Sequence, residues 1–326
     1  MRYRIDDFSV KEPSTLTNFL QRNCPFFRDD HEIKDWIASS LVEVNNAQTI
    51  DPNIQLHPKD TIHLYTPESY EPPVHKEYEI LHEDEHIIII NKPAPLPIHP
   101  AGKYWFNTLS QLLIDDEKIK KNEIFPTHRL DRETSGIVIF AKDKETASRI
   151  QQDFANRMVE KEYIAICQGI PAQERGTISK PLSKGTREHL RDIMIIDENG
   201  REAITDFEVV NTNPEKSFSL VRLNPHTGRR HQLRAHLASI DCPIVGDKLY
   251  GPHNERYEDF IREPERFKEE ITEKLLTQRH LLHCNKIRFT HPTTGKSVAM
   301  VAPLPEDMIQ FCKKQQIHQT SKHYNR

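Results

Sequence analysis

The apolar positions of this chain follow two different periods. In Ile87-Ile88-Ile89-Ile90 and again in Ile137-Val138-Ile139-Phe140-Ala141 every residue is apolar, the pattern of a short strand buried on both faces. Between 160 and 225 the segments Lys161 to Gln168, Gly176 to Lys180, Asp192 to Ile196, Ile204 to Val210 and Phe218 to Leu223 predict a run of strands, with Asn199-Gly200 as a hairpin turn between two of them. Helical spacing sets in elsewhere. Ser148 to Phe154 with Met158 predicts a helix that turns Ile150 and Phe154 inward, and Arg230 to Ala238 predicts another with Leu233 and Leu237 inward and Gln232 and His236 on a different face. Phe267, Ile271 and Leu275 predict one amphipathic helix inside a charged stretch, 252–280, that reads as a peripheral insertion.

Residues 1–65 read as a separate small unit. Ser14 or Thr15 caps a helix with Leu16, Phe19 and Leu20 on its buried stripe, and Asp29 or Asp30 caps a second with Ile33, Trp36 and Ile37. Short strands follow at 42–46 and 54–64 around turn residues. The proline-rich stretch 66–77 is expected to be an extended linker, 78–312 a larger domain, and 313–326 a frayed polar tail.

Composition narrows the classes. A chain of 326 residues with 36% hydrophobic content is long enough for one large or two smaller cores. Its mean hydropathy is -0.70. No stretch reaches the ~18 apolar residues of a membrane span, and Met1 to Asp7 carries no apolar signal core. The five scattered cysteines form no Cys-x-x-Cys pair, so a reduced, cytoplasmic setting without disulfides or zinc is expected. Net charge is -4, which argues against a nucleic-acid coat that works by bulk positive charge. A local basic cleft is still open to it, and Arg222, Arg229, Arg230 and Arg234 cluster along the sequence.

The candidate chemistry centres on Phe125 to Gly136, just before the second all-apolar run. Asp131 stands between Arg129 and Arg132, and a guanidinium nearby lowers a carboxylate pKa by ~1 to 3 units. Such an aspartate stays an anion, available as nucleophile or base. On charge pattern alone, a surface ion pair ahead of a core strand is the commoner meaning.

The whole string decides between them. His128-Arg129-Leu130-Asp131 followed by Thr134-Ser135-Gly136, the apolar strand and Ala141-Lys142 resembles the signature of the RluA-type RNA pseudouridine synthases. Asn91-Lys92-Pro93 with Leu96 to Gly102, Lys161-Glu162-Tyr163-Ile164-Ala165, Thr227 to Leu237, Pro243 to Asp247, and Leu282-His283-Cys284 with Phe289 to Pro292 match further stretches of that family in order. The resemblance covers roughly 78–305. It implies an α+β fold built on a mixed, largely antiparallel sheet with helices lining a cleft. It also implies isomerisation of specific uridines in structured ribosomal or transfer RNA.

By the same resemblance Asp131 is the catalytic carboxylate, Tyr163 the active-site tyrosine that stacks under uracil and helps remove the proton from the new carbon link, and Arg234 the arginine paired with Asp131, with Arg229 as the competing assignment. His128, Arg129, Arg132, Thr134, Arg229, His231, Gln232 and Leu282 are the residues expected to face RNA, with Leu282 packing beneath the active-site strand. No cofactor and no metal are implied; His226, His231 and His236 have a spacing that places them on different faces of a helix. Lys92 reads as a strand-end contact rather than a catalytic amine, since nothing in its surroundings is expected to depress its pKa. RNA is the expected partner, with no membrane or DNA, and a monomer is expected.

The N-terminal unit is similar to the RNA-binding module of small-ribosomal-subunit protein four. Its second helix departs from that pattern. Asp29, Asp30, Glu32 and Asp35 surround the single Lys34, so the unit is expected to add little electrostatic affinity for RNA. Rival readings are a metal-dependent RNA hydrolase, for which clustered carboxylates are absent, and a non-catalytic RNA chaperone that kept the fold.

Overall fold

The computed structural model describes residues 2–318 apart from 25, 26, 28, 68–70, 102–103, 121–122, 188–189 and 263–265. The chain divides into two compact units, one of residues 1–74 with 99–112, the other of 75–98 with 113–326.

In the first unit, strands β1 (Arg2–Ser9), β3 (Val42–Val44), β4 (Ala47–Gln48) and β6 (Thr61–Pro67) form an antiparallel sheet in the order β1-β6-β3-β4, while β2 (Ser14–Thr15) pairs with β5 (Gln55–Leu56). Helix α1 (Leu16–Asn23) starts where Thr15 Oγ1 accepts the Asn18 N–H, and α2 (Asp30–Ala38) where Asp29 Oδ1 accepts the Glu32 N–H at 2.9 Å. The acidic run of α2 therefore caps the positive end of its own helix dipole. Leu16, Leu20, Ile33, Ile37, Val42, Leu56, Ile62 and Leu64 close the core. Asn45 and Asn46 take left-handed φ of 53° and 65° at the β3–β4 turn, a conformation that asparagine tolerates.

Two features of this unit had no counterpart in the sequence pattern. Strand β1 lacks clean alternation, and its strand conformation follows from its pairing along nearly the whole of β6. Inside the stretch expected to be a linker, Glu71 is buried: Oε1 accepts the N–H groups of Trp105 and Phe106, and Oε2 that of Asn107 at 2.7 Å. The ring of Trp105 packs edge-on against Trp36, 6.2 Å between centroids. Segment 99–112, which includes the start of helix α3 (Leu109–Asp115), thus belongs to this unit.

The second unit is an α+β fold around a ten-stranded sheet. Its strands are β7 (Glu79–Glu83), β8 (Ile87–Lys92), β9 (Phe125–Pro126), β10 (Ser135–Ala141), β11 (Glu160–Gln168), β12 (Arg175–Ser179), β15 (Ile204–Thr212), β16 (Phe218–Pro225), β17 (Leu282–Thr290) and β18 (Ser297–Val301). The spatial order is β12-β15-β16-β11-β17-β10-β8-β7, with β18 on β17 and β9 on β10. All pairings are antiparallel except β10 with β17, which run parallel at Ser135–His283 and Gly136–Cys284. Helices α4 (Lys144–Ala155), α5 (Gln232–Ala238) and α8 (Glu306–Lys314) contribute Ile150, Leu237 and Met308 to the core. Every residue of β10 is buried, and each of Ile87 to Ile90 is fully enclosed, a contribution of ~1.5 to 3 kcal/mol per side chain.

Several expectations are corrected. Helix α4 begins earlier, at the Asp143 cap, and stops at Ala155 because Arg157 is left-handed at φ 63°; Met158 lies beyond it and is exposed. The strand Leu182–Arg187 (β13) was not foreseen; it forms a separate hairpin with β14 (Leu190–Ile196). Asn199 and Gly200 sit in a turn that returns the chain from β14 to a bridge between Leu182 and Arg201, not between two paired strands. In the 252–280 stretch the expected helix is present as α7 (Lys268–Leu275), with Ile271 and Leu275 buried, but a further helix, α6 (Tyr257–Arg262), precedes it and packs Phe260 against the same two residues. The tail stays packed through Ile317, and the His318 carbonyl accepts from Asn211 at 2.7 Å; residues 319–326 lie outside the described part.

The corner that enters β10 depends on one glycine. Gly136 has φ +108°, and a Cβ there would lie 2.2 Å from the Cys284 carbonyl oxygen. Gly136→Ala is expected to cost ~3 kcal/mol or more through overpacking and strain. An unchanged urea midpoint would refute this.

Candidate active site

Asp131 lies in the loop between β9 and β10, which is closed by the Thr134 N–H donating to the Asp131 carbonyl at 3.1 Å. Its carboxylate meets Arg234 of α5: Nη1 donates to Oδ2 at 2.9 Å. The rest of that guanidinium is occupied. Nε donates to Asp247 Oδ2 at 2.7 Å and Nη2 to Asp247 Oδ1 at 2.8 Å, so a forked pair fixes the arginine and leaves one edge for Asp131. Asp247 is in turn held by the N–H groups of Leu249 and Tyr250, both at 2.9 Å. Its position follows Gly246, whose φ of +80° lets the backbone pass against the Arg279 carbonyl, where a Cβ would sit at 2.0 Å.

Exposure separates the two aspartates. The Asp247 side chain is fully enclosed, whereas that of Asp131 is 28% exposed. Burial by itself would raise the pKa of Asp131, but the facing charges, His231 and Arg234 foremost, reverse this and bring it down to about 2. His231 itself is pushed down to about 4, first by burial, so at neutral pH it is uncharged and Arg234 is the standing cation. His231 adopts φ 53° at the start of α5, with Nδ1 3.1 Å from the Tyr250 hydroxyl and Nε2 3.8 Å from Asp131 Oδ1. The Tyr250 ring lies under the Arg234 guanidinium at 5.1 Å.

Tyr163 projects from β11, where it pairs with Leu223 and Cys284. It is 9% exposed. Burial, then the Cys284 thiol, then the Asp131 carboxylate hold its pKa well above the ordinary value, so it stays a phenol.

With this geometry in view, comparison with known proteins is decisive. A family model described as RNA pseudouridylate synthase matches residues 86–239, from the strand before the site to the helix that carries Arg234. An RNA pseudouridine synthase of Chlorobaculum parvum is 36% identical, covering 93% of this chain and 94% of its own. Ribosomal large subunit pseudouridine synthase D of Haemophilus influenzae is 30% identical, covering 86% and 84%. Among solved structures, human RNA pseudouridylate synthase domain containing 4 superposes with a TM-score of 0.58 at 27% identity, over 74% of this chain and 94% of that one. The chain belongs to the RluA-type RNA pseudouridine synthases. It is an isomerase acting on RNA.

The enzyme brings together some of the residues singled out in the sequence and separates others. Asp131, Tyr163, Arg234 and His231 share one site. The two arginines beside Asp131 in sequence do not build it: Arg132 donates to Glu133 at 2.8 Å and Arg129 is exposed, because successive loop residues point apart. Arg229 is turned to the Glu202 carbonyl at 2.9 Å. Gln232 is buried and uses all its amide capacity within the fold, accepting from Thr227 Oγ1 and the Arg229 N–H and donating to the Ile204 carbonyl and Thr205 Oγ1. Thr134 is buried in a 2.8 Å hydrogen bond with His280. His128 accepts the Ile139 N–H and packs on Phe154, and Leu282 is core. These four positions are spent on the scaffold.

The expected basic cluster is also redistributed. Arg222 is tied to Glu208 and Glu162, and Arg234 is buried. The three histidines part company as well: His226 pairs with Asp206 at 2.6 Å, and His236 with Thr205 and the Lys180 carbonyl. Among the described residues no group of His, Cys, Asp and Glu has the arrangement of a metal site, and no helix is long and apolar enough to cross a membrane.

A second layer was missed by sequence reasoning. Glu133, buried two residues after Asp131, receives Lys248 Nζ on both oxygens at 3.0 Å, and Arg279 donates to its carbonyl at 3.0 Å while pairing with Asp307. Lys92 is fully enclosed, and burial first, then Arg279, depresses its pKa, contrary to the expectation. Its Nζ donates to the carbonyls of Pro93, Leu96 and Arg132, which ties β8 to the loop that bears Asp131. The available signal was the Pro243 to Asp247 stretch, whose terminal aspartate carried no assigned role.

Two expectations follow. Asp247→Asn replaces half of the fork that orients Arg234, and should lower the single-turnover rate at least ~10-fold with little change in RNA affinity. Loss confined to affinity would contradict it. Secondly, His128 and His280 fall to about 3, and His231 and His283 to about 4, in each case mainly through burial. Their ordinary pKa is ~6.5, so the unfolded chain binds these protons first. Stability should be complete above about pH 7 and fall as pH drops through ~6.5 toward 4, by up to ~1.4 kcal/mol per proton per pH unit. Urea melts at pH 7, 6 and 5 with a constant midpoint would refute this.

Proposed function

We propose that Asp131 is the catalytic carboxylate of this synthase, that Arg234 holds it, and that Tyr163 forms the platform beneath the flipped uracil. The isomerisation breaks the bond from ribose to a uracil nitrogen and forms one to a ring carbon of the same base. The proton lost from that carbon is balanced by one gained at the nitrogen, so composition is unchanged and no donor is consumed. The reaction needs a permanent anion next to a flipped base, and a part-exposed carboxylate with a pKa of about 2 supplies it.

That single observation carries the reading: Asp131 is the exposed end of a buried aspartate–arginine–aspartate chain. Arg234 engages one oxygen of Asp131 and leaves the other to the substrate side, where neutral His231 stands. Tyr163, kept as a phenol, is a weak base, which favours stacking over proton removal as its role.

The substrate is a uridine in structured RNA, with ribosomal RNA favoured over transfer RNA. Relatives named ribosomal large subunit pseudouridine synthase D align over 85% to 90% of this chain, whereas tRNA pseudouridine synthase C of Pasteurella multocida aligns over 71%. Mapping of pseudouridine in ribosomal and transfer RNA from cells with and without the protein identifies the site. Loss of sites only from transfer RNA would reverse the preference.

Asp131→Asn keeps shape and removes the anion. It should bind the mapped stem-loop nearly as well as wild type and retain less than about a hundredth of its single-turnover rate, a barrier increase of at least ~2.7 kcal/mol. A smaller loss would remove Asp131 from the chemistry.

A further inference from the structure

The arginines that cluster in sequence around α5 are dispersed in space, yet a different group assembles at the entrance to that helix. Arg157, just past α4, contacts the Glu202 carboxylate through Nη2. Arg229, two residues before His231, donates Nε to the Glu202 carbonyl at 2.9 Å. Arg201 is the chain neighbour of Glu202 and is exposed. Two segments far apart in sequence thus converge on Glu202, Arg157 on its carboxylate and Arg229 on its carbonyl, and Arg201 and Arg157 are both near enough to Arg229 to act on its charge.

We propose that Arg157, Arg201 and Arg229 form a binding site for the RNA backbone, taking one or two phosphates beside the target uridine. The inference rests on the reading of structured RNA as substrate and adds Arg157 and Arg201, which lie outside all of the family's sequence stretches, to Arg229, which lies within one.

Three arguments support the site. First, the arrangement is poor as a stabilising device. An exposed ion pair contributes ~1 kcal/mol at most, and the second and third arginines repel the first, so the group is balanced only when another anion arrives. Burial, then Arg201 and Arg157, lowers the pKa of Arg229, the expected response to crowding by like charge. Secondly, guanidinium is suited to phosphate, which it grips through parallel N–H donors. Thirdly, the location fits. Arg229 is fixed to α5 through its N–H on Gln232 Oε1 at 3.0 Å, and that helix carries Arg234, the partner of Asp131. A phosphate bound there has a defined register relative to the catalytic carboxylate. The whole chain has a net charge of -4, so affinity for a polyanion has to come from such local excess.

The test uses the full-length protein and an RNA stem-loop that the wild type isomerises, so that failure of the inference leaves the substrate reading standing. Affinity is measured at several salt concentrations for wild type, Arg157→Gln, Arg201→Gln, the double variant and Lys216→Gln. Lys216 is exposed at the turn joining β15 to β16, the opposite end of that hairpin from Glu202, roughly 25 Å away at ~3.3 Å per residue. Each arginine replacement should reduce the slope of log affinity against log salt by about 0.7 to 0.9, and the double variant by about twice that. Lys216→Gln should leave the slope as in wild type. An unchanged slope in the double variant overturns the site, and an equal loss in Lys216→Gln overturns it too, because only overall charge would then matter.

Discussion

A buried guanidinium shared by two aspartates is the constraint on which the rest of this enzyme depends. Taking Asp247 and Arg234 out of water costs several kcal/mol per ion, and their attraction offsets it only if the geometry is tight and the remaining hydrogen-bonding capacity is filled. Both conditions hold: the forked pair is 2.7 and 2.8 Å long, and the N–H groups of Leu249 and Tyr250 complete the coordination of Asp247. Once Arg234 is locked in this way it has one free edge, and that edge decides where Asp131 sits. The site is thus aimed from its buried end outward.

The same logic explains the density of charge around the loop 131–134. Glu133, Lys248, Arg279 and Lys92 are all buried, and each carries hydrogen bonds to backbone carbonyls or to an opposite charge. Together they join the strand end at Lys92, the loop 131–134, the turn after Asp247 and the segment entering β17. An apolar filling would pack these four segments without fixing their relative register. Hydrogen-bonded charges fix it, since each displacement leaves an unpaired ion in a low-dielectric interior.

In the first unit the acidic residues of α2 have a structural use: Asp29 caps the helix, and Asp30 and Glu32 lie in its first turn, where the dipole favours negative charge. Glu71 performs a similar service for the N–H groups of Trp105 to Asn107. Negative charge here satisfies backbone donors.

Much of the architecture was legible along the chain because burial on two faces leaves an unmistakable trace. The strands 87–92, 135–141, 160–168, 204–212 and 218–225 and the capped helices α1 and α2 are all written in local pattern, and Asp131, Tyr163 and Arg234 stand in recognisable strings. What failed to show were features whose cause lies elsewhere in the chain. Strand β1 is defined by its pairing with β6, and segment 99–112 by a carboxylate at Glu71. The pairing of Asp131 with Arg234, 103 residues away, was expected from the family resemblance and not from charge spacing, which pointed to the adjacent arginines, and the arginines around Glu202 come from three segments. Local periodicity records which face of an element is apolar. Ion pairs and hydrogen bonds across elements depend on direction and distance after folding, and on burial that makes them strong, so only the tertiary structure determined them.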